Sequence, residues 1–410
     1  MSALPSPVGM QSARARGARR ADGALGLVGA VAASRILVLG AGAIGALALR
    51  AHDAAAANAL RRLLGPVAYP LAGAVDRFDS AYYLAIAAHG YGALASGRVA
   101  FFPLYPLLIR ALVPLCGSAV LAGAAISQLS FAGALVVLHR LCEHQLGRAA
   151  ADATVLALAF APLSFFFSAV YTESLFLLLS VASLEAARRD RWRLACGLAA
   201  LAALARSVGV LLVVALVAGR IARGRRDRSL AWALAVPGAL AGWLAALALA
   251  GYPPLSPFTI GARWDRVSTG PVIAVASAIW TALRSAIALA RGAPVYSPSL
   301  AGPFSSAAEA IILLAVLGVC AAALCGCARH LPRGYVAYAA LALAMVLSSP
   351  VATQPLESFD RYALTIFPLW MAGGRWLARR RRVVRLGLLV CGAAALAFYS
   401  AQFASWAFIA

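Results

Sequence analysis

Apolar runs of about 20 residues, separated by short clusters of arginine, recur along the whole chain and constrain its fold more than any other feature. A helix of that length crosses roughly 30 Å of hydrocarbon and satisfies its own backbone hydrogen bonds, which an irregular segment in lipid does not. Hydrophobic residues make up 63% of the 410 and charged residues 12%, so the runs leave no room for a large soluble domain. The expected fold is all-α, a polytopic helical membrane protein.

The first run, from about residue 25 to 49, follows Arg14, Arg16, Arg19 and Arg20. It is too long for the apolar region of a signal peptide and reads as a membrane anchor. Residues 1–24 are then a basic cytoplasmic tail, and residues 25–410 a single multi-pass membrane domain. The net charge of +22 does not indicate a nucleic-acid partner, because the arginines sit between spans rather than in one domain. Lysine is absent, so arginine at a given position reflects coding bias before phosphate recognition.

Positive residues mark the cytoplasmic side of short loops. The clusters are Arg14 to Arg20, Arg140 with Arg148, Arg188 to Arg193, Arg220 to Arg228, Arg329 with Arg333, and Arg375 to Arg385. Placing all six inside gives about nine spans, near 25–49, 117–139, 150–170, 171–187, 229–250, 306–328, 334–350, 361–378 and 386–408. The stretch 194–219 resists, being long enough to cross once yet basic at both ends. A re-entrant hairpin, or two short broken helices with Arg206 near the tip, resolves the conflict. The outer loops are then 50–116 and 251–305, with shorter outer segments at 171–173 and 351–360.

Polar groups outside the basic loops gather on that outer side. Asp76 and Asp79 are spaced i, i+3, so on a helix they share a face, with Arg77 available to one of them. Phe78, Tyr82, Tyr83 and Tyr91 flank them, a pattern that also suits an interfacial aromatic belt. Glu173 opens an apolar span, where Thr172 can cap the helix and an acid suits the first turn. Arg206 lies inside an apolar stretch and needs an anionic or backbone partner. Trp264 is a candidate sugar platform or an interface residue. Arg361 can pair with Glu357 or Asp360, or clamp a phosphate with its fork of donors. The seven cysteines include no C-x-x-C pair, and no His, Cys and Asp cluster has metal-ligand spacing, so neither a metal nor another cofactor is expected.

Four separated segments resemble the PIG-V family of mannosyltransferases. They are Phe78-Asp79 through Gly90-Tyr91 with Ala100 to Pro106; Pro162 to Phe176; Arg206-Ser207-Val208-Gly209; and Arg361-Tyr362 followed by Phe367-Pro368. Relatives in that family typically carry a tryptophan before the acid, where this chain has Phe78. The resemblance implies a GT-C membrane glycosyltransferase fold, a polyprenyl-phosphate sugar donor, a lipid or glycan acceptor, and an active site in the cell membrane facing away from the cytosol. Such a donor departs as an ionised phosphate and needs no general acid, so one carboxylate base suffices. Asp79 is then the catalytic candidate. Asp76, Arg77, Tyr83, Glu173, Arg206, Trp264 and Arg361 are candidates for binding donor or acceptor. A multi-pass transporter or lipid flippase is the alternative, although no internal repeat supports it, and a scaffolding membrane protein would not need acids gathered on one face.

Overall fold

The computed structural model describes residues 7–49, 51, 53–299 and 302–409. Residues 1–6 of the expected basic tail lie outside the described residues, and the remainder of that tail joins the first helix, Pro7–Ala48. Among the described residues, six helices are long and apolar enough to cross a membrane: Gly26–Ala48, Ala119–Leu146, Arg228–Leu249, Pro271–Ala290, Ser306–His330 and Arg382–Ala404. Shorter apolar helices, including Leu104–Cys116, Trp192–Ala205 and Arg333–Leu347, fill the bundle between them. Close helix contacts use small residues, as lipid offers no hydrophobic drive for association. A Cβ placed on Gly374 would lie 2.7 Å from the Thr154 Cα, so only glycine lets those two helices touch.

The run at 150–170 forms only a 12-residue helix, Arg148–Ala159, before the chain turns irregular. Pro162 interrupts the ladder, and Arg35 from the first helix supplies what the freed carbonyls lack. Its Nη2 donates to the Ala159 carbonyl and the Ser164 hydroxyl, each at 2.8 Å. Its Nη1 donates to the Ser164 carbonyl at 2.8 Å and to Ser168 Oγ at 3.1 Å. Irregular backbone is thus buried in protein and satisfied, which is the condition for its existence at membrane depth. The segment positions the next helix, Glu173–Arg188.

Residues 192–222 run out and back. Trp192–Ala205 ends at Arg206 in extended conformation, a tight turn follows over Ser207–Leu211, and Leu212–Ala222 returns. The two ends meet, because the Arg220 guanidinium lies 4.6 Å from the Trp192 ring centroid and Arg225 pairs with Asp190 at 3.3 Å. Gly209 makes the turn, since a Cβ there would sit 2.4 Å from the Ala202 carbonyl carbon. Tyr335 lies within electrostatic reach of Glu185, Arg188 and Arg223 beside this pair, and His330 lies within reach of Arg329, Arg375 and Arg379.

Both stretches read as outer loops contain structure. Residues 50–116 fold into helices Ala54–Val75, Ser80–His89 and Leu104–Cys116. Residues 251–305 hold the apolar helix Pro271–Ala290 and a short antiparallel pair of strands, Tyr296–Ser299 and Gly302–Phe304, in an otherwise helical chain. The segment before that helix is bonded to residues 348–352, and the strand Gly302–Phe304 that follows it lies near Asp360. The Val267 N–H donates to the Pro350 carbonyl at 2.9 Å, and Gly302 and Phe304 line a cavity with Asp360 and Tyr399.

Candidate active site

The segment that carries Asp79 is held from two directions. Phe78 adopts a left-handed conformation with φ 48°, a costly state for an aromatic residue unless its surroundings enforce it. Its ring packs against Phe403, Trp406 and Phe408 at 5.7, 5.7 and 5.4 Å. The buried Arg77 side chain donates twice to the Ala404 carbonyl, at 2.9 and 2.6 Å, and lies 4.8 Å over Trp406. From the other side, the Tyr171 hydroxyl donates to the Arg77 carbonyl at 3.1 Å and accepts the Asp79 N–H at 3.2 Å.

This geometry corrects the expectation of two acids on one helical face. Asp76 ends the helix Ala54–Val75, and Asp79 begins Ser80–His89, with the left-handed Phe78 between them. Arg77 also serves neither carboxylate by hydrogen bond, for its guanidinium is spent on the carbonyls of Asp76 and Ala404. Burial therefore prevails over the nearby Arg77 charge and pushes the Asp76 carboxyl up to about 6.

Asp79 instead joins a chain of charges drawn from four separated segments. Arg361 Nη1 donates to Asp79 Oδ2 at 2.7 Å, and Arg361 Nε donates to Glu173 Oε1 at 2.7 Å. The same Glu173 oxygen receives Arg206 Nη1 at 2.8 Å. Exposure is graded along the chain: the Glu173 side chain is 0% exposed, Arg361 6%, Arg206 13% and Asp79 29%. Glu173 is thus the buried anchor and Asp79 the accessible end. Two acids and two guanidinium groups compensate in charge, and a buried cluster of this kind is tolerable only with such close pairing.

The surrounding groups orient the arginines. Arg361 lies 4.4 Å over the Tyr171 ring and 5.1 Å over Phe166. Arg206 lies 5.1 Å over Tyr362, which also faces Arg266 at 5.6 Å. Thr172 does not cap its helix by its side chain; its Oγ1 meets the Tyr83 hydroxyl at 3.2 Å and Arg206 Nη1 at 3.5 Å. Arg361 pairs with Glu173 and Asp79 rather than with Glu357 or Asp360, and Asp360 Oδ1 accepts the Arg361 backbone N–H at 2.8 Å. Trp264 stands apart from the charges, edge-on to Tyr82 at 6.1 Å and Phe101 at 6.3 Å, while Tyr82 and Phe101 stack at 4.5 Å. Asp79 and Tyr82, three residues apart, connect this aromatic wall to the charged chain. No group of three or more His, Cys, Asp or Glu side chains among the described residues is placed to hold a metal ion.

Of the eight residues expected from sequence, Asp79, Glu173, Arg206 and Arg361 come together directly, and Tyr83 reaches them through Thr172. Asp76, Arg77 and Trp264 do not join the charged chain. Tyr362, Tyr171 and Thr172 were missed as orienting groups. Their signal was adjacency, since Tyr362 follows Arg361 and the other two precede Glu173.

Residues 36–223 match the family model described as Mannosyltransferase (PIG-V). The matched stretch contains Asp79, Glu173 and Arg206, while Arg361 lies beyond it. No curated protein matches the chain. Among solved structures, ArnT from Cupriavidus metallidurans in the apo state is similar at a TM-score of 0.46 and 16% identity, over 86% of this chain and 77% of that one. The match over residues 36–223, together with the six long apolar helices, supports a multi-pass membrane glycosyltransferase.

Proposed function

We propose that the protein moves a hexose, mannose by the family it matches, from a polyprenyl-phosphate donor to a hydroxyl of a lipid or glycan acceptor at the extracytoplasmic face of the cell membrane. The acceptor oxygen forms its bond to the anomeric carbon as the bond from that carbon to the phosphate oxygen breaks. Asp79 takes the acceptor proton, and the polyprenyl phosphate leaves with the electron pair. A single displacement of this kind inverts the anomeric centre. Arg361 and Arg206 offset the charge on the leaving phosphate, a contribution that low-dielectric surroundings enlarge.

The observation that carries this reading is the partly exposed Asp79 set 2.7 Å from Arg361, with Arg206 joined to Arg361 through one buried Glu173 oxygen. A base is thereby next to two guanidinium groups able to bind a phosphate. The aromatic wall of Tyr82, Phe101 and Trp264 beside Asp79 offers apolar faces to a sugar ring. Purified protein in lipid vesicles, given a panel of polyprenyl-phosphate hexoses and a membrane lipid extract as acceptor, is expected to consume the mannose donor and return an inverted product. Consumption of none of the panel would overturn the reading.

A further inference from the structure

Arg361 is bound on both sides: Nε is held by a carboxylate that is wholly buried, and Nη1 by a carboxylate that is accessible. The first contact cannot be reached by substrate without unpacking the core. The second lies at the open end of the chain, where the donor phosphate must approach if Arg361 is to serve it. We propose that Glu173 is a positioning residue that fixes Arg361 and Arg206 as one unit, and that Asp79 and the donor phosphate compete for the outward donors of Arg361. This rests on the function proposed above and goes beyond it by assigning Glu173 a role and an order to binding.

In the free protein, Asp79 Oδ2, one of the two oxygens available to take a proton, is occupied by Arg361. A donor phosphodiester, itself an anion, draws Arg361 toward it and releases that oxygen for the acceptor hydroxyl. The base thus has both oxygens free when a donor is in place and one of them held by Arg361 when it is not, which favours the donor binding first. After transfer, Asp79 holds the acceptor proton and the product phosphate carries the extra negative charge. Release of that phosphate returns Arg361 to Asp79, which then gives its proton to water. Glu173 keeps its hold on both guanidinium groups throughout, through Oε1.

Two carboxylates that look alike in sequence then affect donor binding with opposite signs. Removing the charge of Asp79 deletes the competitor, so Asp79→Asn should bind polyprenyl-phosphate mannose more tightly, on the order of tenfold, while losing turnover. Glu173→Gln releases the arginines and should weaken donor binding by a similar factor or more. Equilibrium binding of radiolabelled polyprenyl-phosphate mannose to purified wild type and variants measures both, with Asp79→Ala beside Asp79→Asn so that misfolding of one leaves the test standing. Donor affinity that is unchanged or weaker in the folded Asp79 variants, or unchanged in Glu173→Gln, overturns the competition. Absence of donor binding by the wild type overturns the underlying function instead, and is recognisable as such because the variants are then not needed to see it.

Discussion

At the scale of single residues, Asp79 and Asp76 are near neighbours in sequence with different surroundings, and their variants should separate. Asp79→Asn is expected to lower turnover by about 10²- to 10⁴-fold, the usual contribution of a positioned base, in a steady-state transfer assay. Asp76→Asn should cost turnover far less and act on stability. Because burial raises the folded-state pKa of Asp76 from 3.8 to about 6, the folded protein holds a proton that the unfolded chain has released between those values. Wild type therefore loses stability as pH rises from about 4 to about 6. Asp76→Asn removes that loss, so its thermal midpoint should exceed the wild-type value by roughly 2–4 °C at pH 8 and match it below pH 4. Arg206→Ala should weaken donor binding by about 10- to 100-fold, through loss of a charged donor, whereas Arg223→Ala, exposed beyond the hairpin's end, should leave it unchanged. The identity of the central charges was legible in the sequence, because a carboxylate or guanidinium beside hydrocarbon demands a partner. Their pairing was not. Arg361 meets Glu173 across 188 positions and Asp79 across 282, and local spacing favours Glu357 and Asp360 instead.

At the scale of elements, the arginine clusters predicted the turn-back over 194–219, and the two joined ends of that hairpin agree with them. Apolar runs were less informative where backbone is irregular yet buried. The segment 160–172 reads as part of a span, but Pro162 and the hydrogen bonds from Arg35 make it a satisfied loop that sets the start of the Glu173 helix. Composition registers apolarity and cannot distinguish helix from loop when a distant arginine supplies the missing donors. Within the hairpin, two glycines test whether its tip is a precise device. Gly209→Ala forces a Cβ to 2.4 Å from backbone, so the turn must shift and carry Arg206 with it. Turnover should fall at least tenfold, with a stability cost of about 1–3 kcal/mol from overpacking. Gly197→Ala, in the same hairpin with nothing within 4 Å, should keep turnover and gain about 0.5–1 kcal/mol from reduced chain freedom. Paired activity and thermal-melting measurements distinguish the two; equal behaviour would mean that the tip does not set Arg206.

At the scale of the whole molecule, the charged site and the basic clusters occupy different regions, and a membrane between them gives both an explanation. On the orientation proposed above, with arginine retained on the cytoplasmic side, the hairpin's joined ends lie inside and its Arg206 tip, with Asp79 and Arg361, faces outside. The helix Pro271–Ala290 is the decisive element, for by length it is able to cross, while its two flanks return to residues 348–360 beside the site. From the two flanks we propose that it belongs to the outer segment and does not cross. In a background with the seven native cysteines replaced, single cysteines at the exposed positions Ala93, Arg226 and Arg291 report the three regions. An impermeant thiol reagent added to intact cells is expected to label Ala93→Cys and Arg291→Cys and to reach Arg226→Cys only after the membrane is opened. Labelling of Arg291→Cys that follows Arg226→Cys would make Pro271–Ala290 a true crossing and reverse the direction of every later span. In that case residues 351–360 would fall on the cytoplasmic side, and Arg361 could no longer meet Asp79 at an outer site.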